Sequence, residues 1–130
     1  MAKRKEKGQG YVYLQRKLLQ SAIWQYNEPF DRRSAWVDLI LRANYEDREV
    51  MAKNSVITVH RGQHLESVTH IAKRWKWSQN KVRRFFRMLV DANMITTDGT
   101  PGGTLITLIN YDKMQHGVYA GGSPDGTPDG

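Results

Sequence analysis

The chain has no cysteine, which excludes disulfides and thiolate metal sites. It has no run near the roughly 18 apolar residues of a membrane span. Its basic opening, MAKRKEKGQG, is not followed by an apolar stretch of secretory type, so no signal peptide is read. A soluble cytoplasmic protein is expected. No Gly-rich loop of phosphate-binding type follows a strand pattern, and nucleotide hydrolysis has no support. One further absence is local. Between Ser67 and Val90 there is no Asp or Glu, while Lys73, Arg74, Lys76, Lys81, Arg83, Arg84 and Arg87 all fall there. Outside this segment 13 cations face 13 acids, so the segment carries the whole net charge of +7. A solvated basic surface usually intersperses acids with its cations. Cations concentrated without acids point to a polyanionic partner.

What is present suits one modest domain. The chain has 130 residues, 39% of them hydrophobic, enough for a real core. Residues 1–9 read as a flexible basic arm and residues 10–116 as the folded domain. Residues 117–130, ending in GGSPDGTPDG, read as a tail or linker with nothing to bury.

Within the domain, Tyr11 to Trp24 is apolar-rich, strand or helix at its start and helical by Leu14 to Leu19. Asp31 can cap a helix in which Ala35, Trp36, Leu39, Ile40 and Ala43 recur at helical spacing, through about Asn44. Val50, then Val56, Ile57 and Val59, flank a Lys53-Asn54 turn and suggest a hairpin, followed by an Arg61-Gly62 turn. Ser67 opens a helix over about Val68 to Trp75, and Ser78 another over about Gln79 to Asn93. Two β-branched runs, about Met94 to Thr97 and Thr104 to Ile109, enclose the loop DGTPGG and predict a last hairpin. The fold class expected is α+β, a winged helix-turn-helix, mostly helical with one or two small β-hairpins.

The two serine-capped helices have the spacing of a helix-turn-helix. Ile71, Ala72 and Trp75 mark the inner face of the first, Trp77 plugs the turn, and Val82, Phe85, Phe86 and Leu89 mark the inner face of the second. Lys76 stands where glycine is common. At 100° per residue the second helix places its apolar residues in an arc of about 100°, with Asn80, Arg83, Arg84 and Arg87 opposite. Arginine forks match phosphate and guanine, while Asn and Gln match adenine. A helix of this shape can enter the major groove, N-terminal residues first. Gln79, Asn80 and Arg83, with Arg84 as a further candidate, are therefore assigned to base edges, and Lys73, Arg74, Lys76, Lys81 and Arg87 to phosphates. Five such phosphate contacts predict a log–log salt slope near about −4.5. The alternative, a solvated basic face with no ligand, sits poorly with the absence of acids.

The wing itself has no Lys or Arg in its loop, and Asp98 lies at its base. It is expected to pack structurally, or at most to offer backbone amides to a phosphate. Lys3, Arg4, Lys5 and Lys7 of the arm can supply a second DNA contact or simply solubilise the terminus. His60, His64 and His70 fit no zinc pattern, and no metal or cofactor is expected. Asp38, Glu46, Asp47 and Glu49 read as charged surface and not as a catalytic cluster. Trp36 and Trp75 read as core; Trp24 and Trp77 are open between core and stacking on bases. Enzymatic activity is not expected.

GYVYLQRKLLQSAIW, AWVDLILRANYEDREV, VITVHRGQ, IAKRWKWSQNKVRRFFRML and MITTDGTPGGTLITLINYDKMQ together resemble the N-terminal winged-helix region of phage replication initiators. These are the replisome-organiser and DnaD-like primosome proteins. The resemblance covers about residues 10 to 115. It implies a winged-helix fold, a role in starting DNA replication and self-association as a homo-oligomer; double-stranded DNA is the partner expected from the basic helix-turn-helix itself. It also implies a following helical domain that contacts DNA or helicase-loading partners, so the chain is expected to be a fragment cut at a linker or a short stand-alone member. The matching functional surface is the helix holding Gln79, Asn80, Arg83, Arg84 and Arg87. Some relatives use this domain mainly to oligomerise. An assembly module of a primosome and a winged-helix transcriptional regulator stand as alternatives.

Overall fold

Three side-chain caps start the three longer helices at the residues expected from sequence. The Asp31 carboxylate accepts from the Ser34 amide at 2.8 Å and opens α1 (Arg32–Arg42). Ser67 Oγ accepts from the His70 amide at 3.1 Å and opens α2 (Val68–Trp75). Ser78 Oγ accepts from the Lys81 amide at 3.1 Å and opens α3 (Gln79–Asp91). Each cap satisfies an amide that has no partner inside its helix, an effect of about 1 kcal/mol.

The computed structural model describes residues 10–116; the basic arm with Lys3, Arg4, Lys5 and Lys7, and the tail, lie outside them. The described residues divide into a unit Arg16–Ile109 and a second unit to which the flanking residues 10–15 and 110–116 belong. In the flanking unit, residues 10–15 form neither helix nor strand, and Tyr111–His116 forms a short helix, α4. The expected element at Tyr11 is thus absent, and in Leu14 to Leu19 the helical reading reduces to a single 3₁₀ turn, Arg16–Gln20.

In the larger unit, β1 (Arg48–Ala52) and β2 (Ser55–Val59) pair antiparallel around Lys53 and Asn54, both at positive φ (50° and 67°). That is the turn whose twist matches a two-residue hairpin. β3 (Gln63–Glu66), β4 (Ile95–Thr100) and β5 (Gly103–Leu108) form a second antiparallel sheet in the order β3-β5-β4. Among the described residues the protein is therefore α+β, with four α-helices and two small antiparallel sheets.

Four boundaries differ from expectation, each for a backbone reason. α1 stops at Arg42 because Asn44 is taken by the turn before β3: its N–H donates to Gln63 O at 2.9 Å and its carbonyl accepts from Gly62 at 2.7 Å. α3 stops at Asp91 because Asn93 turns left-handed (φ 60°), letting the Met94 amide return to Leu89 O at 2.9 Å, a common C-terminal closure. Gln63–Glu66 is a full strand because β5 lies beside it, pairing Leu65 with Leu105. The last hairpin is longer than read, since Asp98, Gly99 and Thr100 pair with Leu105, Thr104 and Gly103 and leave only Pro101-Gly102 as the turn. Thr100 Oγ1 ties that turn, donating to Gly103 O at 2.8 Å and accepting from the Gly102 amide at 3.1 Å.

The hairpin tip packs on its neighbours. A Cβ on Gly102 would lie 2.9 Å from Ala52 Cβ, and one on Gly103, at φ 127°, would lie 2.8 Å from backbone atoms of Glu66 and Ser67. The core below is aromatic. Trp75 is fully buried and meets Trp77, Phe85 and Phe86 edge-on at centroid distances of 4.9, 5.8 and 6.3 Å. Ile71, Ala72, Val82 and Leu89 are buried with them, as their helical spacing predicts, together with Leu39 from α1 and Ile95 and Ile106 from the sheet.

Candidate nucleic-acid interface

α2 and α3 are joined through Lys76, which takes the left-handed conformation (φ 60°, ψ 43°) usually given to glycine. The conformation costs a non-glycine residue about 1 kcal/mol. Trp77 offsets it: its amide returns to Ala72 O at 2.9 Å, its ring is buried, and its Nε1 donates to Phe30 O at 2.8 Å. The turn angle that aims α3 is thereby set by an indole bonded across the structure.

On α3, Gln79, Asn80, Arg83, Arg84 and Arg87 are exposed, while Val82, Phe85, Phe86 and Leu89 are buried. Arg83 Nη2 donates to Gln79 Oε1 at 3.3 Å, one turn back. The ammonium of Lys81 sits 4.4 Å from the centroid of the Trp77 ring, a cation–π contact that holds it beside the start of α3. Lys73 and Lys76 are exposed on the approach. None of Lys73, Lys76, Arg83, Arg84 or Arg87 makes an ion pair among the described residues.

Arg74 is the exception and corrects its assignment to phosphate. Its side chain is 19% exposed; Nε donates to Asp38 Oδ2 at 3.1 Å, and Nη1 bonds Glu66. A guanidinium held between two carboxylates is not free to bind a backbone phosphate. Sequence reasoning missed this because Asp38 lies 36 residues earlier and Glu66 one residue before the acid-free segment begins.

Asp38 is likewise not charged surface. It is 0% exposed and accepts from Trp24 Nε1 (3.0 Å), Trp75 Nε1 (2.9 Å), Arg42 Nε (3.1 Å) and Arg74 Nε (3.1 Å). Burial alone would raise its pKa; the Arg74 charge, the two indole donors and the Arg42 charge outweigh that and hold it below the ordinary value. The two tryptophans left open by sequence, Trp24 and Trp77, both spend their N–H groups inside the protein, and Trp36 is half-buried. Among the described residues no helix is long and apolar enough to cross a membrane. No protein-family model, curated protein or solved structure matches the chain.

His60, His64 and His70 each meet a carboxylate. His64 Nε2 lies 2.7 Å from Glu66 Oε1, His70 Nδ1 lies 3.2 Å from Glu66 Oε2, and His60 Nδ1 lies 3.4 Å from Asp47 Oδ2. No group of three or more possible metal ligands occurs among the described residues. Burial pushes the Glu66 pKa up, but the bonds from His64 and Arg74, with their charges, bring it from 4.5 down to about 2. A depressed carboxylate pKa stabilises the fold above its unfolded value and loses that contribution as pH falls through the folded one. Glu66→Gln is therefore expected to cost most above pH 4.5, with the gap to wild type closing by about 3 kcal/mol on acidification to about pH 2. Urea unfolding at a series of pH values checks this, and a pH-independent gap would refute it.

Proposed function

We propose that this chain is a non-catalytic winged-helix domain that binds double-stranded DNA in a phage-type replication initiation protein. With the β1–β2 hairpin inserted between α1 and β3, the order α1, β3, α2, α3, β4, β5, in which β3 completes the sheet of the last hairpin, suits a winged helix. The observation that carries the reading is the exposed face of α3, where arginines without acid partners stand opposite a buried aromatic face. An α-helix about 10–12 Å across fits a major groove about 12 Å wide. Gln79, Asn80, Arg83 and Arg84 are proposed to meet base edges, and Lys73, Lys76, Lys81 and Arg87 to meet phosphates. The wing has no cation to add and its tip is packed on the first hairpin. The replication role rests on the sequence resemblance, as does a replicative helicase or its loader as a further partner.

With Arg74 removed, four phosphate contacts remain. Titration of duplex DNA at several salt concentrations is expected to give a log–log slope near about −3.6, shallower than the value expected from sequence. Absence of duplex binding at low salt, or binding indifferent to salt, refutes the reading. A second reading, an assembly module, is favoured by one observation. On the outer face of the first hairpin, Met51 and Val56 are cross-strand partners exposed to 71% and 58%, an apolar pair suited to a second copy or another protein. Sedimentation beside the titration separates the two: a monomer that binds duplex DNA supports the first, and an oligomer indifferent to DNA supports the second.

A further inference from the structure

Between the 3₁₀ turn and α1 lies a recess of about 230 Å³ lined chiefly by Ile23, Trp24, Tyr26, Glu28, Pro29 and Phe30. Two of its walls are aromatic rings set nearly at right angles. Trp24 and Phe30 have ring planes 87° apart and centroids 5.6 Å apart. Both walls are anchored from behind. The Trp24 indole donates to the buried Asp38 carboxylate at 3.0 Å. Phe30 is bonded on both sides of its backbone, its N–H to Trp75 O at 3.0 Å and its carbonyl to Trp77 Nε1 at 2.8 Å. The recess therefore does not depend on a ligand for its shape.

Its chemistry is opposite in sign to that of α3. No Lys or Arg lines it. Glu28 is exposed and makes no ion pair among the described residues. Aromatic faces carry negative potential and attract cations, most strongly for tryptophan. A free carboxylate beside them adds charge that a purely apolar ligand would not use. The positive end of α1 nearby is met by its own cap, since the Asp31 carboxylate takes the Ser34 amide.

We propose that this recess takes a cationic group, the ammonium or guanidinium of a lysine or arginine side chain carried by a partner polypeptide. The site is independent of the DNA reading. It also borders the helix-turn-helix, because Phe30 is bonded to both Trp75 and Trp77, so a partner docked there would touch the structure that aims α3.

The test is an NMR titration of the whole chain, following the indole N–H of Trp24. The probes are choline, N-acetyl-lysine methylamide, and 3,3-dimethyl-1-butanol, the uncharged analogue of choline. Both cations are expected to shift the Trp24 signal saturably, in the millimolar range typical of such small contacts, and the uncharged analogue to bind at least about fivefold more weakly. Glu28→Gln, an exposed change that leaves the core alone, is expected to weaken both cations about three- to tenfold. Equal binding of the uncharged analogue, no effect of Glu28→Gln, or no saturable shift at Trp24 each overturns the proposal. So does saturation by an uncharged proline peptide without any response to choline, which would assign the recess to polyproline recognition.

Discussion

Replacing Asp38 with alanine is expected to cost about 3–5 kcal/mol of folding stability. The carboxylate is 0% exposed and receives donors from two indoles and two guanidinium groups. Removing it leaves Arg74 facing Glu66 alone, the Trp75 N–H buried without an acceptor and the part-buried Trp24 N–H without its own. Each orphaned donor carries a desolvation cost of its own. Arg42, with a side chain 26% exposed, can turn to water and soften the loss. Asparagine is not a rescue, because its amide NH₂ would face donors and its neutral oxygen would leave the guanidinium charges uncompensated. The loss is large against the roughly 5–15 kcal/mol stability of an ordinary domain. Glu46→Ala, an exposed change, is the control and should stay within about 0.5 kcal/mol. Urea unfolding of the three proteins decides it. A cost for Asp38→Ala below about 1 kcal/mol would mean that the buried network does not hold α1, α2 and the 20–30 segment together.

The second large effect concerns binding. Arg83→Ala and Arg84→Ala should each weaken the preferred duplex by about 1–3 kcal/mol, or about 5- to 150-fold, with relaxed sequence preference. Both side chains are exposed and neither makes an ion pair among the described residues, so the thermal midpoint should hardly move. Arg74→Ala should do the reverse, lowering the midpoint while leaving the salt slope near its wild-type value, because its guanidinium bonds Asp38 and Glu66. Arg83 deserves separate measurement from Arg84. Its contact with Gln79 narrows the positions of both side chains before DNA arrives, so Gln79→Ala should reproduce part of the Arg83→Ala loss. Uniform weakening on all sequences, with unchanged preference, would place these arginines on phosphates instead of bases.

Local chemistry was legible wherever the controlling atoms lie within a few residues of one another. Asp31, Ser67 and Ser78 cap helices because a side-chain oxygen reaches an amide three residues on. The two faces of α3 follow from its period. The Lys53-Asn54 turn and the left-handed Lys76 follow from the few shapes a short connection can adopt. The α+β class, the place of Trp75, Phe85 and Phe86 in the core, and the separation of arginines from apolar residues on α3 were all determined at that level, whereas the burial of Trp77 was not.

The tertiary structure decided which charges are free. Seven cations in an acid-free segment look alike in sequence, yet Arg74 is turned inward by Asp38 and Glu66. Asp38 looked like surface because only Arg42, one helical turn on, is near it in the chain, whereas the two indoles and the second guanidinium converge from 24, 75 and 74. The strand β3, set by β5 beside it, and the anchoring of Trp24 and Phe30 by Asp38, Trp75 and Trp77 likewise arise from groups far apart in sequence. The physical reason is range. Caps, turns and helical faces are set by bonds a few residues long, whereas ion pairing and burial depend on which distant side chains the fold brings within about 3–4 Å.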